Sequence, residues 1–573
     1  MTDPVSRELD LAQATRMVQA LLEQMRRRSA HPGQVQCIET HISWVLLADD
    51  LAWKIKKPLR LDFLDFGTRA LRQGCCEEEL RINRRTAPQL YLDVVPITGT
   101  PQAPELGGTG PLLDHAVRMR RFPQEQLLSR LVQRDALTPQ LVDALARQVA
   151  ALHAQAGRAT PQDSHGQPQA ILRAVAENFV TLRHVLPAGA GAGAGAVETA
   201  NAASSFGAQG KAPVHVRQEA AIVTRTDLRA LLRWTRDEQR RLRPLLARRL
   251  EQGWVRECHG DLHLGNLMLH DGQPLLFDAI EFDPALRWVD VMADIAFLVM
   301  DLLHRERADL AWRVLNGWLE QTGDYAGLEL LPYFMTYRAL VRAKVASLRL
   351  GQADGEARAQ AEAELHGYLC LARQCTQPRP RYLWITMGLS GSGKSTQTQG
   401  LIAETGLIRL RADVERKRLF GLRPEASSRE LAEDIYTPEA SRRTFAHLAQ
   451  QGLSVLASGF PVLVDATFIR RELRDQFRVL AQQAGVPFGI LAFEAPEAVL
   501  RQRIRQRQQQ GDDASEADVQ VLEGQLQALE PLAPDEEDHA VRVDSTVLAD
   551  WPRLRAEGAL RAIGFGPQAA AAV

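Results

Sequence analysis

The chain has 573 residues, with 69 Lys plus Arg against 70 Asp plus Glu, so its formal net charge of -1 excludes a global field that would draw it to nucleic acid or an anionic membrane. Hydrophobic residues make up 45% and charged residues 24%, the balance of a globular protein, and the length calls for more than one core. Its six cysteines form no C-x-x-C pair, Met1 to Asp10 lacks the basic-then-apolar run of a secretory signal, and no apolar stretch reaches bilayer-spanning length; a reducing cytoplasm and no membrane partner are expected.

In chain order, Met1 to about Arg28 spaces Leu9, Leu11, Val18, Leu21 and Leu22 as an amphipathic helix. Gln36 to Lys56 alternates, is rich in Ile, Val and Trp, and breaks at Asp49-Asp50, which predicts an antiparallel hairpin with Leu51 to Ile55 as its second strand. A helix around Cys75 to Arg85 and strands at Leu92 to Ile97 and Ala116 to Arg120 complete a small sheet carrying one helix. From Gln124 to about Leu350 the pattern is mostly helical. It is interrupted at about 186–213 by Ala-Gly repeats and Ser that cannot repay their ordering entropy, so a disordered insertion is expected there. The helix Glu356 to Arg373 meets two prolines in Thr376-Gln-Pro-Arg-Pro380, and apolar Tyr382 to Met387 then starts a new core. The expected organisation is a first domain over 1–375, a linker at 376–380 and a second domain over 381–565.

Gly388-Leu-Ser390-Gly391-Ser392-Gly393-Lys394-Ser395 satisfies G-x-x-x-x-G-K-[ST] between a predicted strand and a helical run, and with Thr396 these residues are expected to bind the nucleotide. Such a loop curls backbone N–H groups around a phosphate at a helix N-terminus, with Lys394 reaching the β- and γ-phosphates and the Ser395 hydroxyl meeting Mg²⁺. ATP and Mg²⁺ are the expected cofactors. Downstream, Arg411-Ala-Asp413-Val-Glu-Arg416 follows a short strand at Leu407 to Leu410. This spacing after a P-loop resembles the gluconate kinase, zeta toxin and polynucleotide kinase group. The resemblance implies that Asp413 faces the acceptor hydroxyl and that Arg411 or Arg416 holds the substrate.

Asp465, at the end of the strand Pro461 to Val464 in Asp-Ala-Thr467, is placed for Mg²⁺ contact behind Ser395, or else simply caps the next segment. Arg503 and Arg507 share a helical face before Gly511-Asp-Asp513. The same group implies a lid whose arginines stabilise the transferring phosphoryl group, whereas a solvated basic face would give the same pattern.

In the first domain, His259-Gly-Asp261-Leu-His263-Leu-Gly-Asn266 precedes an apolar run, a turn at Asp271-Gly272 and Asp278. It resembles the catalytic loop of aminoglycoside phosphotransferases and choline-kinase-like enzymes, relatives of protein kinases. The resemblance makes Asp261 the proton acceptor, and Asn266 and Asp278 the metal ligands. Binding of a divalent ion by His259, Asp261 and His263 is the alternative. A kinase lobe also requires a strand lysine and a helix carboxylate. Lys54 is chosen over Lys56, two residues away on the same face, and Glu79 over Glu77 and Glu78. Asp290, in Trp288-Val-Asp, resembles the aspartate with which the same family braces its catalytic loop, and that role is what the resemblance implies for it. The segment Thr40 to Ser43 stands where a glycine-rich loop would be, without the glycines.

The fused arrangement resembles bacterial proteins that join an aminoglycoside-phosphotransferase-like domain to a zeta-toxin-like P-loop domain. The fold class implied is α/β and α+β: a protein-kinase-like bilobal domain, then a three-layer P-loop NTPase domain with a parallel sheet. The activity implied is ATP-dependent phosphoryl transfer to hydroxyls of small molecules by both domains, small molecules being the expected partners. The alternatives are a regulatory ATP-binding protein with one active domain, and a polynucleotide kinase at the C-terminus.

Overall fold

The computed structural model describes residues 8–61, 64–186, 223–351, 353–428, 434–510, 515–561 and 563–565. The segment read as an insertion falls, beyond Leu186, outside the described residues, and so does the break at Gly511 to Asp513. No helix among the described residues is long and apolar enough to cross a membrane.

The alternation after Gln36 folds as three antiparallel strands: Gln36–Glu39, Ser43–Ala48 and Leu51–Lys56. The first hairpin turns where Thr40 Oγ1 bonds Ser43, and the second at Asp49, whose φ of 48° a short polar side chain tolerates. Leu112–Arg120, Tyr91–Thr100 and Ala103–Leu106 extend the sheet to six strands, so Leu51–Lys56 lies in its interior and pairs Lys54 with Val45 on one side and Val117 on the other. Period-two alternation gives the sheet two apolar faces. Trp44, Leu46, Ile55 and Ile97 pack with Met17, Val18, Leu21 and Leu22 of the helix Leu11–Arg28. Leu47, Ala52, Val117 and Met119 pack with Cys76 of the helix Arg69–Asn83 and with Met268 and Leu275. The second cluster joins the sheet to the hairpin Leu267–His270 and Gln273–Leu276, which carries the loop with Asp261 and Asn266.

Below that hairpin the helix Val291–His304 is buried almost throughout, beside Pro139–Gln155 and Ala308–Thr322. The second domain is a five-stranded parallel sheet in the order Ile408–Arg411, Val462–Asp465, Leu383–Met387, Phe488–Glu494 and Ala540–Asp544, with helices between the strands. All five residues of Leu383–Met387 are buried, as a central parallel strand requires. This is the expected combination of an α+β kinase-like domain with an α/β P-loop domain.

Contacts group Met1–Gln167, Leu246–Leu331 and Pro378–Val573 into one compact unit, and Pro168–Leu245 with Pro332–Gln377 into another. Within the second unit, Gln239 donates to the Pro168 carbonyl at 2.6 Å, and Arg373 on the helix Gly355–Cys375 lies 3.6 Å from Asp227.

Asp290 does not brace the catalytic loop. With Asp324 it clamps the buried guanidinium of Arg249 through four bonds of 2.7–2.8 Å, and it caps the N-terminus of Val291–His304 through Met292 N–H at 2.9 Å. Burial raises the pKa of Asp324 against the opposing pull of Arg249. Arg249→Ala would leave two buried carboxylates without their cation, a loss of about 3–5 kcal/mol. Its denaturation midpoint in urea is expected to fall accordingly.

Candidate active sites

In the first domain, the strand Leu51–Lys56 and the helix Arg69–Asn83 bring Lys54 Nζ to 2.8 Å from Glu79 Oε1 and 2.5 Å from Asp278 Oδ1. Lys56 bonds the other Glu79 oxygen at 2.5 Å and also Glu281, so the two lysines share Glu79 and are distinguished by their second carboxylates. Burial works against the charge on Lys54, but Asp278, Glu79 and Glu281 outweigh it and hold the ammonium well above its usual range. Burial likewise opposes ionisation of Glu79, yet Lys54 and Lys56 overcome it and keep the carboxylate well below normal. Burial prevails at Glu281, raising its pKa.

Asp278 sits at φ 60°, in the left-handed region, held by its N–H to the Tyr91 hydroxyl at 3.1 Å and by Ala279 N–H to Asn83 Oδ1 at 2.8 Å. A strained residue fixed from both sides at this place is of the kind that aims a ligand.

The loop Asp261 to Asn266 is closed on itself. Asn266 Nδ2 donates to Asp261 Oδ2 at 2.8 Å and to its carbonyl at 3.0 Å, which turns Asn266 Oδ1 away from the carboxylate. His263 Nε2 lies 3.3 Å from Asp261 Oδ2, and its Nδ1 accepts from Gly265 N–H at 3.0 Å. His259 Nε2 faces the Phe277 carbonyl at 2.9 Å and must donate, so Nδ1 accepts from Asp261 N–H at 3.3 Å; burial lowers its pKa and keeps the ring neutral. With both of its ring nitrogens committed, His259 cannot join Asp261 and His263 as a metal ligand.

The brace is Asp294, four residues beyond the expected Asp290. Its carboxylate accepts from His259 N–H at 3.2 Å and Gly260 N–H at 2.9 Å, and Asp301 accepts from Leu264 N–H at 2.9 Å. Asp294 clusters with buried His153 and Cys258. Trp318 Nε1 donates to His153 Nδ1 at 3.0 Å, so the ring proton sits on Nε2 facing Asp294 at 3.1 Å, a hydrogen-bonded support and not a metal donor set.

In the second domain a cavity of about 650 Å³ is lined by Gly391, Gly393, Lys394, Ser395 and Thr396, by Arg411, Asp413 and Arg416, by Asp465, and by Arg503 and Arg507. Thus both predicted halves of the site open on one space. Lys394 Nζ folds onto the carbonyls of Gly388 and Leu389, both at 2.9 Å, and lies 3.4 Å from Ser392 Oγ; burial lowers its pKa. Ser395 Oγ donates to Asp465 Oδ2 at 2.7 Å, while Thr386 Oγ1 holds Oδ1 at 3.3 Å. A hydroxyl backed by an anchored carboxylate is a donor pair that fits Mg²⁺.

Asp413 lies in the first turn of the helix Ala412–Leu419, with Arg411 as its N-cap residue. Arg416 is largely committed to the Ile435 carbonyl at 2.9 Å, Ser441 Oγ at 3.3 Å and the Tyr436 ring. Of the two candidates for holding substrate, Arg411 is the more exposed. Arg503 bonds the carbonyls of Ser545 at 2.7 Å and Gly391 at 3.4 Å, and Arg507 that of Ala517 at 2.8 Å, so both lean over the loop from the helix Glu497–Gln510. Ser390 N–H, part of the phosphate loop, donates to Gln525 Oε1 at 2.8 Å. Sequence spacing gave no sign of Gln525, because it returns to the loop from a helix 135 residues away.

Asp294→Ala orphans two buried N–H groups at the catalytic loop, so ATP turnover at the first-domain site is expected to drop at least tenfold, measured with the P-loop site silenced by Lys394→Ala. Gly391 has φ 81°, and an added Cβ would stand 2.7 Å from the Leu500 carbonyl. Gly391→Ala is therefore expected to weaken nucleotide binding at the P-loop site at least tenfold by fluorescence titration, with the first-domain site unchanged.

Comparison with known proteins agrees with this division. Residues 69–331 match the family described as "Phosphotransferase enzyme family", and residues 383–532 the one described as "AAA domain". Uncharacterized proteins of Mycobacterium tuberculosis and Mycobacterium bovis are 30% identical over 444 residues, 77% of this chain and 80% of theirs. Among solved structures, a sugar kinase from Janibacter sp. HTCC2649 is 25% identical, with TM-score 0.25, over 33% of this chain and 98% of its own. A choline kinase from Cryptosporidium parvum Iowa II is 12% identical, with TM-score 0.34, over 62% of this chain and 95% of its own. The chain belongs to the family of these mycobacterial proteins, and carries a phosphotransferase-family domain followed by a P-loop kinase domain.

Proposed function

We propose that each domain transfers the γ-phosphoryl group of ATP to a hydroxyl of a small molecule, with Mg²⁺, in the cytoplasm. The observation that carries this reading is the convergence of Lys394, Ser395, Asp413, Asp465, Arg503 and Arg507 on one cavity, which assembles every group that phosphoryl transfer uses. There the phosphate loop and Lys394 receive the β- and γ-phosphates, Asp413 takes the acceptor proton, and Arg503 with Arg507 meets charge developing on the transferring group. Ser395, backed by Asp465, would hold Mg²⁺, which supplies charge neutralisation at the phosphate oxygens.

In the first domain Asp261, steadied by Asn266 and His263, takes the acceptor proton, and Lys54 is held by Glu79 for the phosphates. Asn266 Oδ1 and Asp278 would hold the metal. An amide oxygen beside a carboxylate is a donor pair that fits a divalent cation. A second reading, a first domain that binds ATP without turnover, draws support from the turn at Thr40. Lys57 Nζ ties that turn down through the Thr40 carbonyl and Glu39, each at 2.6 Å, where a glycine-rich loop would close over phosphates.

Asp261→Ala and Lys394→Ala, assayed for ATP consumption against a panel of hydroxyl-bearing metabolites, separate the readings. Each is expected to abolish its own acceptors' phosphorylation by about 10²-fold or more and spare the other's. Unchanged consumption in Asp261→Ala would assign the first domain to binding alone.

A further inference from the structure

Glu320, on the helix Ala308–Thr322 of the phosphotransferase-family domain, reaches into the P-loop domain within the same compact unit. Its Oε1 accepts from Arg409 Nη2 at 2.9 Å and Nε at 3.3 Å, and its Oε2 from Arg411 Nη1 at 3.4 Å. Arg409 and Arg411 are two apart on the strand Ile408–Arg411, so their side chains leave one face and one carboxylate can serve both.

Each arginine continues into the site. Arg411 lines the cavity beside Asp413, while Arg409 Nη1 donates to the Ser395 carbonyl at 2.8 Å and Thr398 Oγ1 at 3.2 Å, at the start of the helix that follows the phosphate loop. Glu320 and Arg409 are nearly enclosed, at 14% and 6% side-chain exposure, which keeps their attraction from being screened. Burial opposes ionisation of Glu320, but Arg409 and Arg411 outweigh it and hold its carboxyl below the usual range.

Neighbouring contacts line the same interface. Strand Ile408–Arg411 ends the sheet order, and the side-chain amide of Asn316 pairs with its open edge, accepting from Arg409 N–H at 2.7 Å and donating to the Leu407 carbonyl at 3.0 Å. Arg418 donates to the Glu320 carbonyl at 2.6 Å, and the Tyr325 hydroxyl to Glu415 at 3.1 Å. Without the carboxylate, two like charges would stand two residues apart, one of them at the cavity wall, and Arg411 would turn away from its neighbour.

We propose that Glu320 is a positioning residue for phosphoryl transfer at the P-loop site, acting through Arg411, so that the phosphotransferase-family domain completes the wall of the cavity beside Asp413 in the domain that follows it. This rests on the reading of the P-loop cavity as a phosphoryl-transfer site.

The test uses the full chain with Asp261→Ala silencing the first site, and MgATP hydrolysis with water in the acceptor's place beside Asp413. Lys394→Ala is expected to remove the remaining turnover; if turnover persists, the reading of the cavity fails, whatever Glu320 does. With that reading upheld, Glu320→Gln is expected to lower kcat about tenfold. Added to Arg411→Gln it should lower kcat no more than about twofold further, since the two act through one contact. Asn316→Ala, which weakens the same interface without touching either arginine side chain, is expected to hold kcat within about twofold. An unchanged kcat in Glu320→Gln, losses that add in the double variant, or an equal loss in Asn316→Ala would each overturn the proposal.

Discussion

A carboxylate taken out of water has to be met by a cation, a hydroxyl or backbone N–H groups, and that requirement places the functional elements of this chain. Glu79 draws Lys54 and Lys56 onto the helix Arg69–Asn83 and so joins sheet to helix. Asp294 takes two N–H groups of the loop that carries Asp261. Asp290 and Asp324 close on Arg249, and Asp465 holds the Ser395 hydroxyl. Glu79 and Asp294 are themselves buried and orient groups of the first site, whereas Asp290 and Asp324 lock a buried guanidinium.

The same logic crosses from one domain to the next. An edge strand of a parallel sheet presents unpaired backbone groups, and here the Asn316 amide satisfies them while Glu320, one helical turn on, satisfies two arginines. Both contacts lie within the one compact unit that holds Met1–Gln167, Leu246–Leu331 and Pro378–Val573. A chain cut at the proline-rich linker separates these two partners in sequence while the structure packs them together.

What could be read in advance was local. Gly388 to Ser395 and His259 to Asn266 are contiguous, and their chemistry demands fixed spacings, so the structure finds them as loops at strand ends. Lys54 and Lys56 share a strand face, and the structure separates them only by partners distant in sequence, Asp278 for one and Glu281 for the other. The misplacement of the brace at Asp290 has a similar origin. Asp290 and Asp294 are four apart at the start of one helix, and only its packing decides that Asp294 faces the loop while Asp290 faces Arg249. Gln525, Glu281 and Glu320 were invisible for the same reason, since nothing local marks a side chain whose role is to meet a residue brought near by the fold.

Two separate nucleotide sites on one chain, as proposed above, are open to equilibrium titration with a non-hydrolysable ATP analogue and Mg²⁺. Calorimetry should find two sites per chain, with Lys394→Ala removing one and Lys54→Ala the other. A stoichiometry of one that survives Lys54→Ala unchanged would contradict the account.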